Sequence, residues 1–220
     1  MPTETFLHLP DEKRKRITDA AIQEFSRVPL EEASIANIVK NAEIPRGSFY
    51  QYFENKEDVY FYCFQTVQSI GFDFLKEMLI EQKGDLFAAY REFFKQTIPH
   101  LFDSKYANFF KFSFMNMNYR SSKKFTANFH KHHQKMHKNK ESQSQIFQQY
   151  VNFDLLVLDS FEDLDLLIQM IMNAFISSVV EGYRSQKDQE KVDVQKIITR
   201  YEKKLNWLEM GASRKERIDV

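Results

Sequence analysis

The sequence predicts an all-α protein. Only five glycines and five prolines occur in 220 residues, and strand-like alternation of apolar and polar residues is absent. Apolar residues instead recur at intervals of three and four, which is the periodicity of an amphipathic helix. A chain of this length can bury one large core or two smaller ones. We therefore expect helices throughout, in one or two domains.

The first helix is predicted to begin within residues 9–12. Its inward face would consist of apolar residues at helical spacing, namely Ile17, Ala20, Ala21 and Phe25. Three basic residues lie near its start, Lys13, Arg14 and Arg16. Their charges fit either a solvated helix face or contact with a polyanion, and both interpretations stay open.

Residues 34–56 predict two short helices joined by a tight turn. The first helix has one apolar face, made by Ile35, Ile38, Val39 and Ala42. Ser34 directly precedes this face and can act as its N-cap. A residue before proline avoids the α region, so Ile44 should be extended and the first helix should end before it. Pro45 suits the first turn of a second helix.

The second short helix carries groups that suit the major groove of DNA. Phe49 and Phe53 are four residues apart and can anchor the helix inward. Arg46 can form two hydrogen bonds to guanine, and Ser48 and Gln51 can hydrogen-bond to base edges. A plain helical hairpin within an all-α core explains the same spacing, since patterns of this kind are loose.

Further residues in this stretch suit the DNA backbone. Gly47 has no Cβ, which allows close approach, and the free N–H groups of a helix start favour phosphate. Tyr50, Tyr52 and Lys56 suit phosphate oxygens, which fix position rather than sequence. Asn55 can cap a third helix that opens at residue 56.

The charge balance does not show the basic excess that is common in nucleic-acid binders. The chain has 31 Lys and Arg against 31 Asp and Glu, so its formal net charge is zero. The first 56 residues carry eight positive and nine negative side chains. Any DNA binding must therefore depend on where individual charges are placed.

The run ASIANIVKNAEIPRGSFYQYFENKEDVY, preceded by EKRKRITDAAIQEFS, resembles the N-terminal DNA-binding domain of the TetR family of bacterial transcriptional regulators. The resemblance is close over residues 10–60 and continues beyond them only as a long helical partner domain. It implies DNA-facing positions for Arg46, Gly47, Ser48, Tyr50, Gln51 and Tyr52. It implies phosphate contacts for Ser34 and Lys56.

The chain departs from the family pattern in two places. The family usually has Gly where this chain has Glu43, and often Gly followed by an aromatic residue where it has Pro29 and Leu30. A left-handed backbone at Glu43 would cost about 1 kcal/mol. Neither departure removes a residue expected to contact DNA.

The middle of the chain predicts further helices and is crowded with aromatic residues. The expected helices span residues 56–82, about 85–99 and about 104–118. Aromatic residues at helical spacing usually form a core, but an apolar cavity with adaptable methionines is the usual form of a small-molecule site. Such a site would bind an apolar or amphipathic effector. Its candidate lining residues are Phe87, Phe94, Phe110, Phe114, Met117 and Phe175.

Histidines between residues 121 and 150 raise an alternative function. His130, His133 and His137 share one helical face and could hold zinc, but such a site needs a third ligand and supporting contacts. A His-dependent metal-binding protein or metalloenzyme is therefore the alternative. Neither a Ser/His/Asp arrangement nor a Gly-rich phosphate loop occurs, so we expect no enzyme activity and no cofactor.

The strongest amphipathic pattern runs from Leu164 to Tyr183 for five turns, and a second apolar helix follows to Leu208. Two such helices can pack against a second copy as a four-helix bundle, or they can complete the core of the monomer. The family resemblance favours the homodimer.

Together these patterns predict three regions. Residues 1–56 form a three-helix helix-turn-helix DNA-binding domain, residues 57–210 a larger helical ligand-binding and dimerisation domain, and residues 211–220 a polar tail. The resemblance implies a homodimeric repressor that binds a palindromic operator and is released by a ligand. The single Cys63, the absence of a signal peptide and the absence of a membrane-spanning run predict a cytoplasmic protein.

Overall fold

The computed structural model describes residues 2–115, 149–185 and 192–212. The described residues are mainly helical, which confirms the predicted all-α class. The helices are α1 Glu4–Leu7, α2 Asp11–Arg27, α3 Ile35–Asn41, α4 Arg46–Tyr52, α5 Lys56–Glu81, α6 Leu86–Asp103, α7 Ala107–Met115, α8 Phe161–Ser185 and α9 Val194–Ala212. Short 3-10 helices occur at Leu30–Glu32 and Phe153–Leu155.

The described residues fall into two compact units. The first contains residues 2–70 and 103–115, and the second contains residues 71–102, 149–185 and 192–212. Helices α5 and α6 therefore contribute residues to both units. The functional boundaries expected at residues 56 and 210 stay predictions.

The core of the first unit lies along α2, which packs on α3 and α7. The predicted inward face of α2 is confirmed, because Ile17, Ala20, Ala21 and Phe25 are all buried. Helices α5 and α7 are joined by a buried hydrogen bond in which the Tyr60 hydroxyl donates to Ser113 Oγ at 2.7 Å. Burial raises the pKa of Tyr60 to about 12, so this hydroxyl keeps its proton.

Helix α1 was not predicted from the sequence. Its four residues are too few to show a helical period, and a helix this short is unstable by itself. Phe6 on α1 is completely buried, and its ring contacts those of Tyr52, Phe53 and Tyr62. The short helix therefore depends on packing against the first unit.

The predicted end of the sixth helix near Pro99 is wrong, because α6 continues through Pro99 to Asp103. Proline removes one helical hydrogen bond and favours a kink or an end. Here the surrounding side chains outweigh that cost, since Ile98 and Leu101 are buried on either side of Pro99. The Tyr183 hydroxyl also donates to the Leu101 carbonyl at 3.1 Å.

In the second unit, α8 packs on α9. The predicted apolar face of α8 is buried at Leu164, Leu167, Ile171, Phe175, Val179 and Tyr183. Gly182 permits the close approach of the two helices, since a Cβ there would lie 2.2 Å from Ile197 Cδ1.

Helix α8 is also long and apolar enough to cross a membrane by length and composition alone, a test that the core helices of soluble proteins pass as well.

A buried carboxylate joins α2 to the start of α3. The side chain of Glu24 is 2% exposed and accepts hydrogen bonds from the Ser34 backbone N–H at 2.9 Å and from Asn37 Nδ2 at 3.2 Å. Arg27 donates to the same carboxylate through Nη2 at 2.8 Å and Nε at 3.0 Å. The bonds from Arg27, followed in weight by those from Ser34 and Asn37, lower the pKa of Glu24 even though burial opposes the shift.

We expect Glu24→Gln to lower the free energy of unfolding by about 1–3 kcal/mol at pH 7, because a buried charged hydrogen-bond acceptor is lost. A lowered pKa stabilises the fold above the ordinary pKa of the carboxyl, and that contribution disappears as pH falls through the folded pKa. Urea unfolding should therefore show the full difference from wild type at pH 7, and the difference should shrink progressively as pH falls below the ordinary range of a carboxyl pKa. Glu31→Gln, at an exposed carboxylate nearby, is the control and should leave stability unchanged. An equal loss in both variants would contradict this role for Glu24.

Candidate DNA-binding site

The turn between α3 and α4 is a Schellman motif. The Glu43 N–H donates to the Lys40 carbonyl at 3.2 Å, and the Ile44 N–H donates to the Val39 carbonyl at 3.0 Å. Glu43 has φ +51°, the left-handed conformation in which the family usually has Gly. Ile44 and Val39 are both buried, as is common for the apolar residues at these two positions of the motif.

Helix α4 is fixed by its inner face, as the sequence predicts. Phe49 and Phe53 are completely buried, with ring centroids 5.7 Å apart. Pro45 precedes the helix with φ −59°, and its carbonyl accepts from the Ser48 N–H at 2.9 Å. Asn55 caps the next helix as predicted, because its Oδ1 accepts from the Asp58 N–H at 2.9 Å.

The opposite face of α4 is open to solvent. Four of the predicted DNA-facing residues are exposed there, namely Arg46, Gly47, Tyr50 and Gln51. Ser48 is half-buried. A Cβ added to Gly47 would meet no atom within 4 Å in this structure, so any steric need for glycine would arise from a bound partner.

Tyr52 differs from the other DNA-facing candidates because its side chain is largely buried. Its ring lies 5.9 Å from that of Phe6, and the Lys13 ammonium lies 5.8 Å from its centre. Most of the ring is therefore packed within the first unit.

The two predicted phosphate contacts have partners within the chain. Lys56 Nζ donates to the Glu31 carbonyl at 2.6 Å and lies 3.5 Å from the Ala33 carbonyl. An ammonium has three N–H donors, so one remains for a phosphate. Ser34 occupies the N-cap position of α3 as predicted, but its side chain makes no capping hydrogen bond.

The predicted ligand-binding residues are divided between the two units. Phe87, Phe94 and Phe175 are buried in the second unit, where the rings of Phe94 and Phe175 stack at 4.1 Å. Phe110 and Phe114 belong to the first unit and stack at 6.1 Å. Met117 lies outside the described residues.

Tyr201 on α9 adds a polar group to the aromatic cluster of the second unit. Its ring meets that of Phe94 edge-on at 4.5 Å, and its hydroxyl is buried without a hydrogen-bond partner in the described part of the chain. Burial raises its pKa, so the hydroxyl stays protonated and can donate. Leaving such a group unbonded costs about 1–3 kcal/mol.

The metal hypothesis falls outside the described residues, since His130, His133 and His137 all lie between residues 116 and 148. Within residues 2–115, 149–185 and 192–212, no group of three His, Cys, Asp or Glu side chains is placed to hold a metal ion.

Sequence reasoning missed three residues that shape the site. Thr3 and Phe6 pack on the end of α4, and Glu24 fixes the start of α3. A Thr three residues before a Phe is a weak cap signal, and an acidic residue on a predicted helix is usually solvated. Only the contacts between distant parts of the chain distinguish these residues from ordinary surface positions.

Two family models match the sequence. Residues 17–63 match the model described as bacterial regulatory proteins of the tetR family. Residues 85–212, more than half of the chain, match the model described as the tetracyclin repressor-like C-terminal domain. No curated protein sequence matches the chain.

Several solved structures share the fold. SmeT, described as the repressor of the Stenotrophomonas maltophilia multidrug efflux pump SmeDEF, is 13% identical with a TM-score of 0.58, covering 98% of this chain and 95% of its own. FadR of Bacillus halodurans, described as a fatty acid degradation regulator, is 21% identical with a TM-score of 0.54, covering 90% and 98%. A TetR-family regulator from Mesorhizobium loti is 12% identical with a TM-score of 0.59, covering 92% and 98%. With both family models matched in order along the chain, this protein belongs to the TetR family of bacterial transcriptional regulators.

Proposed function

We propose that this regulator is a homodimeric repressor that inserts α4 into the major groove of a palindromic operator and is released by a small molecule. The observation that supports DNA reading by α4 is its two-faced construction. Phe49 and Phe53 are buried beneath the helix, while Arg46, Tyr50 and Gln51 are exposed on its outer side. Rigid anchoring with an open polar face is what base reading requires.

The proposed mechanism is a shift between two populations of the dimer. Two copies of α4 would read half-sites about 34–36 Å apart, one turn of DNA. A ligand can release DNA only if it binds better to a state in which the two helices are wrongly spaced. In this proposal the protein acts in the cytoplasm without a membrane partner.

Dimerisation is supported by apolar side chains that the second unit leaves exposed. Leu166 and Met170 lie one turn apart on α8, and Trp207 and Met210 lie one turn apart on α9; each is more than half exposed. The buried face of α8 is already packed within the chain, so support for a partner copy comes from these four exposed side chains.

An apolar or amphipathic effector is supported by the cluster of Phe94, Phe175 and Tyr201. Aromatic walls with one convergent hydroxyl are the usual composition of a small-molecule site. Two proteins of similar fold are described as regulators of a multidrug efflux pump and of fatty acid degradation, and apolar compounds would suit both roles.

We expect Arg46→Ala to weaken operator binding by about 1–3 kcal/mol and to relax preference at one base of each half-site, because a contact to a base edge is lost. The measurement is a binding titration against the operator, obtained by selection from random DNA, and against single-base variants of it. Lys196→Ala removes the same charge from the second unit and should change neither the affinity nor the base preference.

Lys56→Ala should instead weaken binding to operator and to random DNA equally, and it should lower the slope of log affinity against log salt by about one per subunit. A uniform loss with a reduced slope for Arg46→Ala would show that Arg46 contacts phosphate, and Ser48 and Gln51 would become the base-reading candidates.

Sedimentation at micromolar concentration should give a dimer for the wild type. Replacing Leu166 and Met170 together by Glu should give a monomer, because charge cannot be buried unpaired in an apolar interface. Ile80→Glu, at an exposed apolar residue on α5, is the matched control and should stay dimeric. A wild-type species of 26.4 kDa would contradict the proposed two-half-site mechanism.

Tyr201→Phe should raise the free energy of unfolding by about 1 kcal/mol, because it removes a buried hydroxyl that has no partner. Tyr183→Phe, which removes the donor to the Leu101 carbonyl, should lower it by about 1 kcal/mol.

A screen of fatty acids, acyl-CoAs and hydrophobic drugs should find a compound that raises the melting temperature of the wild type and weakens operator binding. That compound should act less on Tyr201→Phe. The ligand-site proposal would be contradicted if no compound changed the melting temperature or the operator affinity and if Tyr201→Phe were less stable than wild type. The aromatic cluster would then be ordinary hydrophobic core.

A further inference from the structure

We propose that Thr3 and Phe6 are positioning residues for DNA recognition, because together they clamp the C-terminal end of α4. The inference rests on the proposed function, in which α4 reads DNA, and adds to it the N-terminal segment as the part that holds the reading helix in place. We call Thr3 together with α1 the clamp.

The clamp binds backbone groups that α4 cannot satisfy alone. The last four carbonyls of a helix lack partners within the helix. In α4, the Gln51 carbonyl accepts from Thr3 Oγ1 at 2.6 Å, and the Tyr52 carbonyl accepts from the Thr3 backbone N–H at 2.9 Å. Two consecutive carbonyls at the end of the recognition helix are therefore bonded to one residue almost fifty positions earlier.

Apolar packing reinforces these two hydrogen bonds. Phe6 is completely buried, and its ring centre lies 4.6 Å from that of Phe53 and 5.9 Å from that of Tyr52. It also meets Tyr62 on α5 edge-on at 5.0 Å. The clamp thus contacts both the end of α4 and the helix that follows it.

The far side of the clamp is held by α2. Arg14 Nη1 donates to the Leu7 carbonyl at 2.9 Å and lies 3.4 Å from the Leu9 carbonyl, and its guanidinium also pairs with Asp11. The sequence left open whether Arg14 lies on a solvated helix face or contacts a polyanion. In the structure its guanidinium is bonded to the segment that joins α1 to α2. A chain of contacts runs from the core helix α2 through α1 to the end of α4.

A seven-residue helix needs this support. Isolated helices shorter than about 12–15 residues are marginal in water, so the last turn of α4 would fray without partners for its carbonyls. Tyr50 and Gln51, two of the exposed reading candidates, lie in that turn. Loss of the clamp should disorder them and reduce discrimination between DNA sequences, while the charge presented to phosphates stays the same.

Thr3→Pro tests the clamp by removing the two donors that Thr3 supplies to α4. Thr3 already has φ −75°, which proline adopts, so the substitution removes the N–H and the hydroxyl without altering this angle. The lost hydroxyl also accepts from the Phe6 N–H at 3.4 Å as the N-cap of α1, so both parts of the clamp are affected. Thr3→Ser keeps both donors and is the matched control. The DNA probes are a duplex enriched from a random library by the wild type and a scrambled duplex of the same composition.

Thr3→Pro should bind the enriched duplex about tenfold more weakly, because two hydrogen bonds to α4 are lost. Affinity for the scrambled duplex should stay within about twofold, and the slope against salt should not change, since no cation is removed. In the free protein, amide hydrogen exchange at Tyr52 and Phe53 should accelerate about tenfold. Thr3→Ser should behave as wild type in every measurement.

Two results would overturn the clamp while leaving DNA reading by α4 intact. One is unchanged binding and unchanged amide exchange in Thr3→Pro. The other is weaker operator binding without faster exchange in α4, which would show that Thr3 contacts DNA directly. If the wild type itself enriches no sequence from the library, the proposed function fails, and the inference fails with it.

Discussion

The first unit depends on the burial of Phe53. Its ring lies 4.6 Å from Phe6, 5.7 Å from Phe49 and 6.2 Å from Tyr62, so one side chain joins α1, α4 and α5. A buried aromatic side chain contributes several kcal/mol, and aromatic pairs add about 0.5–1.5 kcal/mol each. A helix of only two turns such as α4 needs this burial, since its backbone hydrogen bonds alone cannot keep it folded. Orientation of the exposed face of α4 is therefore set by the contacts beneath it.

Charge is used differently from what a simple count suggests. Several cations of the first unit hold the fold: Arg14 binds carbonyls at the end of α1, Arg27 binds Glu24, and Lys56 binds the Glu31 carbonyl. Arg46 and Lys40 are exposed and remain available to a polyanion. A zero net charge is compatible with DNA binding when anionic side chains are also bonded within the fold, as the carboxylate of Glu24 is. The nonspecific attraction to DNA should then be modest, so that specificity depends strongly on shape and base contacts.

Local patterns were sufficient to predict the fold class, the turn at Ile44 and Pro45, and the burial of Phe49 and Phe53. Each of these depends on neighbours within about four residues along the chain. The sequence could not predict α1, whose stability comes from rings about fifty residues away, nor the passage of α6 through Pro99, where tertiary packing outweighs the local preference of proline. The site shows the same division. Exposure of Arg46 and Gln51 follows from helical spacing, whereas the two carbonyls that accept from Lys56 lie twenty-five and twenty-three residues earlier in the chain.

Glu43 shows how the fold tolerates a residue that its backbone disfavours. A left-handed conformation costs about 1 kcal/mol for a residue with a Cβ. The two hydrogen bonds of the Schellman motif and the burial of Ile44 offset that cost, so the angle between α3 and α4 is kept without glycine. The consequence is electrostatic rather than conformational. An exposed carboxylate now stands three residues before Arg46. In the proposed complex this carboxylate would repel the phosphates of any DNA sequence, and its attraction for the Arg46 guanidinium would compete with the base contact proposed for that residue. Under the proposed function, Glu43 would therefore lower the affinity for all DNA and also weaken the base contact of Arg46.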